Sequence, residues 1–174
     1  MEVTSVLKKV EEKEMKQLAQ KIHHKSRLFI AGTGRSGLVG KIFAMRLMHS
    51  GYNVYVVGET ITPAIEKEDL FLVISGSGNT SSLHVYAEKA KDAGADISLV
   101  TTNNESSIAE IADNKVIISA ATKLEGIKKN QTIQPMGNQF DQSAHLLLDA
   151  ILVYLNKYFY KDNNKLINRH ANLE

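Results

Sequence analysis

Two short stretches hold the residue types best suited to chemistry. Gly32-Thr33-Gly34-Arg35-Ser36-Gly37 follows one apolar run, and Ser75-Gly76-Ser77-Gly78-Asn79-Thr80 follows another. In the second, small residues let the backbone wrap closely around a ligand, and the Ser and Thr hydroxyls add donors. A helix starting near Thr80 aims its unpaired N–H groups and the positive end of its dipole at the same place. A phosphate monoester is the natural occupant, held by Ser75, Gly76, Ser77, Gly78, Asn79 and Thr80. The loop has no lysine, which separates it from a Walker-type nucleotide loop. A plain surface turn would explain Thr80 as a helix cap and one glycine, but not two serines at the end of a buried strand.

The first stretch fits G-x-G-x-x-G, the dinucleotide pattern, with an acidic residue, Glu59, after the next strand. An NAD-type binding protein is therefore an alternative of a different class. Against it, Glu59 lies beyond Gly58, further from the glycines than the usual ~20 residues. The bland reading is that these glycines permit a tight turn and close helix packing.

The elements that must carry these loops follow a simple alternation. Arg27–Ala31, Asn53–Val57, Leu70–Ile74, Asp96–Thr101 and Lys115–Ser119 are short runs rich in Val, Ile and Leu. Helical patterns cover Ser36–Ser50, Thr80–Ala93 and Ser107–Ala112 between them. Such continuous apolar runs predict parallel strands covered on both faces by crossover helices, an α/β three-layer sandwich with a five-stranded sheet. The spacing predicts one amphipathic helix over about 3–24 and a last helix over Gly137–Phe159. Ala120–Gly137 has no period and reads as a long, functional loop, and a polar tail occupies about 161–174. With no repeat and no linker, residues 1–174 make a single domain.

Composition narrows the function classes. With 43% hydrophobic and 23% charged residues over 174 positions, the chain is ordinary for a globular domain. A net charge of +2 argues against nucleic acid as partner. The absence of cysteine excludes thiol catalysis and disulfides. No apolar run suits a signal peptide or a membrane span, so a cytoplasmic protein with no membrane partner is expected.

Beyond the two loops, four segments carry a resemblance: GRSGLVGKIFAMRLMHSGYNVYVVGE (Gly34–Glu59), ISGSGNTSSL (Ile74–Leu83), IQPMGNQFDQS (Ile133–Ser143) and RHANLE (Arg169–Glu174). Together they resemble the SIS (sugar isomerase) family of phosphosugar isomerases and sensors, and within it the 6-phospho-3-hexuloisomerases. The resemblance implies the SIS fold and a cofactor-free, metal-free isomerase interconverting 3-hexulose 6-phosphate and fructose 6-phosphate. It also implies a homo-oligomer, a tetramer or dimer, acting after hexulose-phosphate synthase in the ribulose monophosphate route. The family's substrate-binding positions carry over to Arg46 and to Ser75–Thr80, with Gly34 and Ser36 in the paired G-x-G-x-S motif. The family's proton acceptor, a glutamate directly after the Phe of PMG-x-x-F, falls on Asp141, one methylene shorter.

The chemistry itself needs one general base whose conjugate acid can return the proton, plus donors for the enediolate oxygens. Asp141, in the first turn of the last helix, is the first choice, and Glu59 the second. An early-helix acid also simply complements the helix dipole. Arg46, flanked by Met45 and Met48, is expected to be partly buried and paired with an anion. Of six histidines, His145 shares a helix face with Asp141 and Asp149 and reads as packing or interface. His170, within RHANLE, is a candidate catalytic acid, in its own or a neighbouring subunit. A phosphosugar-binding module without catalysis, or an isomerase of another sugar phosphate such as arabinose 5-phosphate, are the alternatives. Self-association is expected through the first and last helices.

Overall fold

The computed structural model describes residues 2–121, 132–159, 169, 170 and 172. The five apolar runs pair as one all-parallel sheet in the order β2-β1-β3-β4-β5. The strands are β1 (Leu28–Gly32), β2 (Val54–Val56), β3 (Leu70–Ile74), β4 (Asp96–Thr101) and β5 (Asn114–Ile117). The helices are α1 (Glu2–Leu7), α2 (Glu12–His24), α3 (Gly34–His49), α4 (Ser81–Asp92), α5 (Ser107–Ile111) and α6 (Asn138–Tyr158).

Strand alternation builds two cores. Leu28, Ile30, Leu70, Leu72 and Ile74 face a layer made by α1, α2, α3 and α6. Phe29, Ala31, Phe71, Val73 and Leu99 face α4 and α5. This is the three-layer arrangement expected from runs apolar on both faces. At the centre of the sheet β3 is buried along its whole length, whereas β2, an edge strand of three residues, is only half-buried.

The amino-terminal segment differs from the single helix expected. It breaks into α1 and α2, because Lys9 N–H and Val10 N–H turn back to the carbonyls of Val6 and Leu7, and Glu11 is extended. The apolar positions show why: Met15, Leu18 and Ile22 keep helical spacing, but the step from Val10 to Met15 is out of phase with it. The apolar faces of these two helices are covered by α6 and the sheet. Strand β5 begins one residue earlier than its apolar run. Most of the expected loop 120–137 and of the polar tail lies outside the described residues.

The chain reverses its winding direction between β1 and β3: β2 is added on one side of β1, and β4 and β5 on the other side of β3. At such a switch point, the loops after two adjacent strands diverge and leave a crevice at the carboxyl ends. Here those loops are the two identified from sequence.

Candidate active site

The crevice is a cleft of about 380 Å³. From β1 it receives Thr33, Arg35 and Ser36, and from β3 Ser75, Ser77 and Thr80. The turn before α6 adds Met136 and Gly137, and the first turn of α6 adds Phe140 and Asp141.

Three helices begin at this cleft. Their N-cap residues are Thr33, Thr80 and Gly137, and none of the three offers a side-chain hydrogen bond to its helix. The leading N–H groups of α3, α4 and α6 therefore remain available at one place, and their dipoles add a positive potential to it. An anion placed there would meet a favourable potential.

Within the second loop, the hydroxyls are ordered by the loop's own backbone. Ser75 Oγ accepts from Gly78 N–H at 3.1 Å, and Ser77 Oγ accepts from Asn79 N–H at 3.2 Å. Ser75 Oγ lies 3.5 Å from Thr80 Oγ1. Gly76 has Phe140 beneath it; a Cβ there would come within 3.2 Å of the ring, so the phenyl serves as the floor of the loop. Gly78 has φ +67°, and a Cβ on it would sit 2.0 Å from Ser106 Oγ. Asn79 turns away from the cleft: its Oδ1 accepts from Ser107 N–H at 2.9 Å, capping α5 and tying the loop to that helix. Gly78 and Asn79 thus shape the loop from behind, while Ser75, Gly76, Ser77 and Thr80 present it to the cleft.

Asp141 is the centre of the opposite wall. Its side chain is 10% exposed, and its carboxylate is held at both oxygens. Ser36 Oγ donates to Oδ1 at 3.0 Å, and Arg35 Nε donates to Oδ2 at 3.0 Å. The turn that delivers Asp141 is sharply made. Met136 has φ 55° and Gly137 φ 82°, two successive left-handed residues before α6 begins. For methionine that conformation is strained, and such strain is tolerated where the surroundings fix a functional group.

The remaining sequence candidates lie elsewhere. Gly34 opens α3 beside the cleft. Glu59 is half exposed beyond β2 and pairs with Lys41 Nζ at 2.6 Å, outside the cleft. The acid expected to contact a dinucleotide ribose is thus engaged with α3. Arg46 is exposed, and among the described residues it has no carboxylate partner, contrary to the partial burial expected. The cause is visible on α3: Val39, Phe43 and Leu47 form its buried face, while the flanking Met45 and Met48 are themselves exposed. His170 stacks on His49, ring centroids 5.2 Å apart, at the end of α3 remote from Gly34. With 16 residues in α3, that is roughly 24 Å from this chain's cleft. Burial, then electrostatic repulsion from the neighbouring His170 and Arg46, hold His49 below its ordinary pKa. His145 lies 3.6 Å from Asp149, both half exposed, away from the buried Asp141. Among the described residues no cluster suited to a metal ion is present.

A family model described as the SIS domain matches residues 21–134, the segment that carries the sheet and both cleft loops. The chain belongs to the SIS domain family. As a SIS domain it has relatives over nearly its whole length. It is 44% identical over 173 residues to the 3-hexulose-6-phosphate isomerase of Mycobacterium gastri, covering 99% of this chain and 86% of the relative. It is 41% identical over 165 residues to the 3-hexulose-6-phosphate isomerase of Bacillus subtilis, covering 95% and 89%. Among solved SIS structures, it superposes with TM-score 0.84 on a Methanococcus jannaschii protein inferred to be a 3-hexulose-6-phosphate isomerase. Identity there is 36%, with 94% of this chain and 87% of that chain covered.

Thr33, Arg35, Met136, Gly137 and Phe140 are the cleft residues that sequence reasoning did not single out. Arg35 stands inside a glycine-rich stretch in which the glycines and Ser36 carry the recognisable pattern. Met136, Gly137 and Phe140 are visible in sequence only as letters of the PMG-x-x-F block, with no local signal that they face a cleft.

Proposed function

We propose that this SIS domain is a sugar-phosphate isomerase interconverting 3-hexulose 6-phosphate and fructose 6-phosphate, with Asp141 as its general base. The observation that carries the reading is a nearly buried carboxylate facing a phosphate-type loop across one cleft. A non-catalytic binding module has no need of it. The isomerase relatives at 41% and 44% identity support the choice of sugar.

The phosphate is anchored by Ser75, Ser77, Thr80 and the amino end of α4. The carbon chain then runs toward Asp141. The carboxylate takes the proton from C2, the C–H pair becomes the C2–C3 double bond, and the carbonyl electrons move onto O3. The resulting acid returns the proton to C3 while the proton of O2 passes to O3, leaving the carbonyl at C2. Electrons balance without redox. Ser36 holds the carboxylate so that its free lone pair stays aimed at the carbons, and a displacement of about 1 Å would cost on the order of a hundredfold in rate.

Four finer points belong to the same reading. Glu59 is the alternative base if exchange survives loss of Asp141. His170, remote from its own cleft, serves a neighbouring subunit's cleft in a homo-oligomer. Self-association, expected through the first and last helices, is better served by the exposed apolar face of α3 (Leu38, Ile42, Met45 and Met48), because the amino-terminal helices bury their apolar faces within the chain. The enzyme would work in the cytoplasm on the product of hexulose-phosphate synthase. The test is a coupled assay of purified protein with enzymatically made 3-hexulose 6-phosphate, reading fructose 6-phosphate. Turnover is expected; none with active synthase and coupling enzymes refutes the assignment.

A further inference from the structure

Arg35 is the one cationic side chain among the described residues that line the cleft. Its side chain is 58% exposed, yet it is held in place, because Nε is bonded to Asp141 Oδ2 at 3.0 Å. That bond uses one corner of the guanidinium. Neither terminal nitrogen has a protein partner among the described residues. The planar Nη1/Nη2 edge, four N–H bonds carrying a delocalised positive charge, is thus unspent beside the carboxylate.

The phosphate does not require this edge. Its loop already supplies three hydroxyls and a helix amino terminus on the β3 side of the cleft, whereas Arg35 stands on the β1 side against Asp141. What needs a cation on that side is the reaction itself. When the carboxylate removes a proton from C2, charge develops on O3. On return it develops on O2, and in the cis-enediolate both oxygens lie in one plane with the carbons. A fork of two coplanar N–H donors matches two coplanar oxygens, as it matches a carboxylate.

We propose that Arg35 is a catalytic residue of this isomerase, whose Nη1/Nη2 edge stabilises the enediolate oxygens O2 and O3 while Asp141, through Nε, fixes its orientation. The base thus positions its own electrophile: one carboxylate presents a lone pair to carbon and holds the guanidinium that receives the charge it creates. Preorganised donors of this kind act on the transition state more than on the substrate.

This inference rests on the isomerase reading with Asp141 as base, but its decisive test needs no turnover. Binding of two probes is measured by calorimetry to wild type, Arg35→Met and Arg35→Lys. One probe is inorganic phosphate, and the other is a phosphorylated four-carbon hydroxamate, whose planar C(=O)–N–OH unit takes the place of C3, C2 and their oxygens in the enediolate. Wild type is expected to prefer the hydroxamate strongly. Arg35→Met should weaken hydroxamate binding by about a hundredfold and leave phosphate within about threefold, since only the charge-developing end is affected. In turnover, kcat should fall about 10²–10³-fold with KM nearly unchanged. Arg35→Lys, which keeps the charge and loses the fork, should lie between. Retained phosphate affinity also reports that the variants are folded, and Arg35→Lys carries the test alone if Arg35→Met does not fold. Parallel loss of both probes would make Arg35 a phosphate ligand and overturn the inference. So would a wild type that gains nothing from the hydroxamate, or an Arg35→Met enzyme with wild-type kcat. A wild type that prefers the hydroxamate but does not isomerise 3-hexulose 6-phosphate would instead refute the choice of sugar.

Discussion

Replacing Gly78 by alanine tests whether the phosphate loop is fixed from behind by α5. Gly78 occupies the left-handed region at φ +67°, which costs an alanine about 1–2 kcal/mol. Its new Cβ would stand 2.0 Å from Ser106 Oγ and 2.5 Å from Ser106 Cβ, so Ser106 must move. Ser106 is buried, and overpacking at such a place costs about 1–3 kcal/mol. Ser106 is also the N-cap of α5, its Oγ accepting from Ala109 N–H at 3.3 Å, and losing that bond adds about 1 kcal/mol. The total is about 3–6 kcal/mol, a large share of a stability of about 5–15 kcal/mol. The chain has no tryptophan, so urea unfolding is best followed by far-ultraviolet circular dichroism. Adding Ser106→Gly to Gly78→Ala removes the clashing atoms while costing the cap only a few tenths of a kcal/mol. The double variant should therefore recover about 1–3 kcal/mol and regain affinity for inorganic phosphate. A loss below about 1.5 kcal/mol for Gly78→Ala, or no recovery in the double variant, would show that Ser106 does not set the loop.

Other outcomes are equally definite. Asp141→Asn should lower exchange of solvent deuterium into the sugar by at least about a hundredfold while inorganic phosphate still binds; exchange that persists and then vanishes in Glu59→Gln would transfer the role to Glu59. His49 prefers to be neutral in the folded chain, so its contribution is complete above about pH 6.5 and is lost as pH falls through the window beneath. The thermal midpoint of wild type should therefore drop more steeply below that pH than that of His49→Phe, and parallel curves would refute it. Wild type should exceed 19.2 kDa by light scattering, and Ile42→Glu with Met45→Glu on α3 should reduce it to that mass; an unchanged mass would clear α3 of the interface.

The sheet was legible because burial on both faces leaves little choice of residue: LFLVI and DISLVT can be placed with almost nothing else known. The two cleft loops were legible for the converse reason, since consecutive small residues after a buried strand have few other uses. Sequence failed where the answer depended on direction. Arg46 and its methionines looked like a buried stretch, but a helix packed on one side leaves its other side exposed whatever the composition. Arg35 carries no local signal, because its meaning comes from Asp141, which the chain supplies from a distant helix. The position of Asn79 in the loop suggests a ligand, whereas its side chain turns back to cap α5. Over Val3–His24 the spacing suggests one helix, but a single irregular step at Val10 is enough to end α1.

The β1–β3 pairing beneath the cleft has a kinetic side. Leu28 meets Leu70 there, whereas Leu28 meets Val54, Leu70 meets Asp96 and Ser98 meets Asn114 in the other ladders. The central ladder therefore closes the longest loop in the sheet, and loop closure grows more costly with length. Each half can gather locally, β1 with β2 and β3 with β4 and β5, before the two are joined along this seam. A sugar phosphate that touches Ser36 on one half and Ser75 on the other would act as a clasp across the seam. Ligand should then slow unfolding through the last contact to form, and an apo chain in the cell would open first along the line where its substrate belongs.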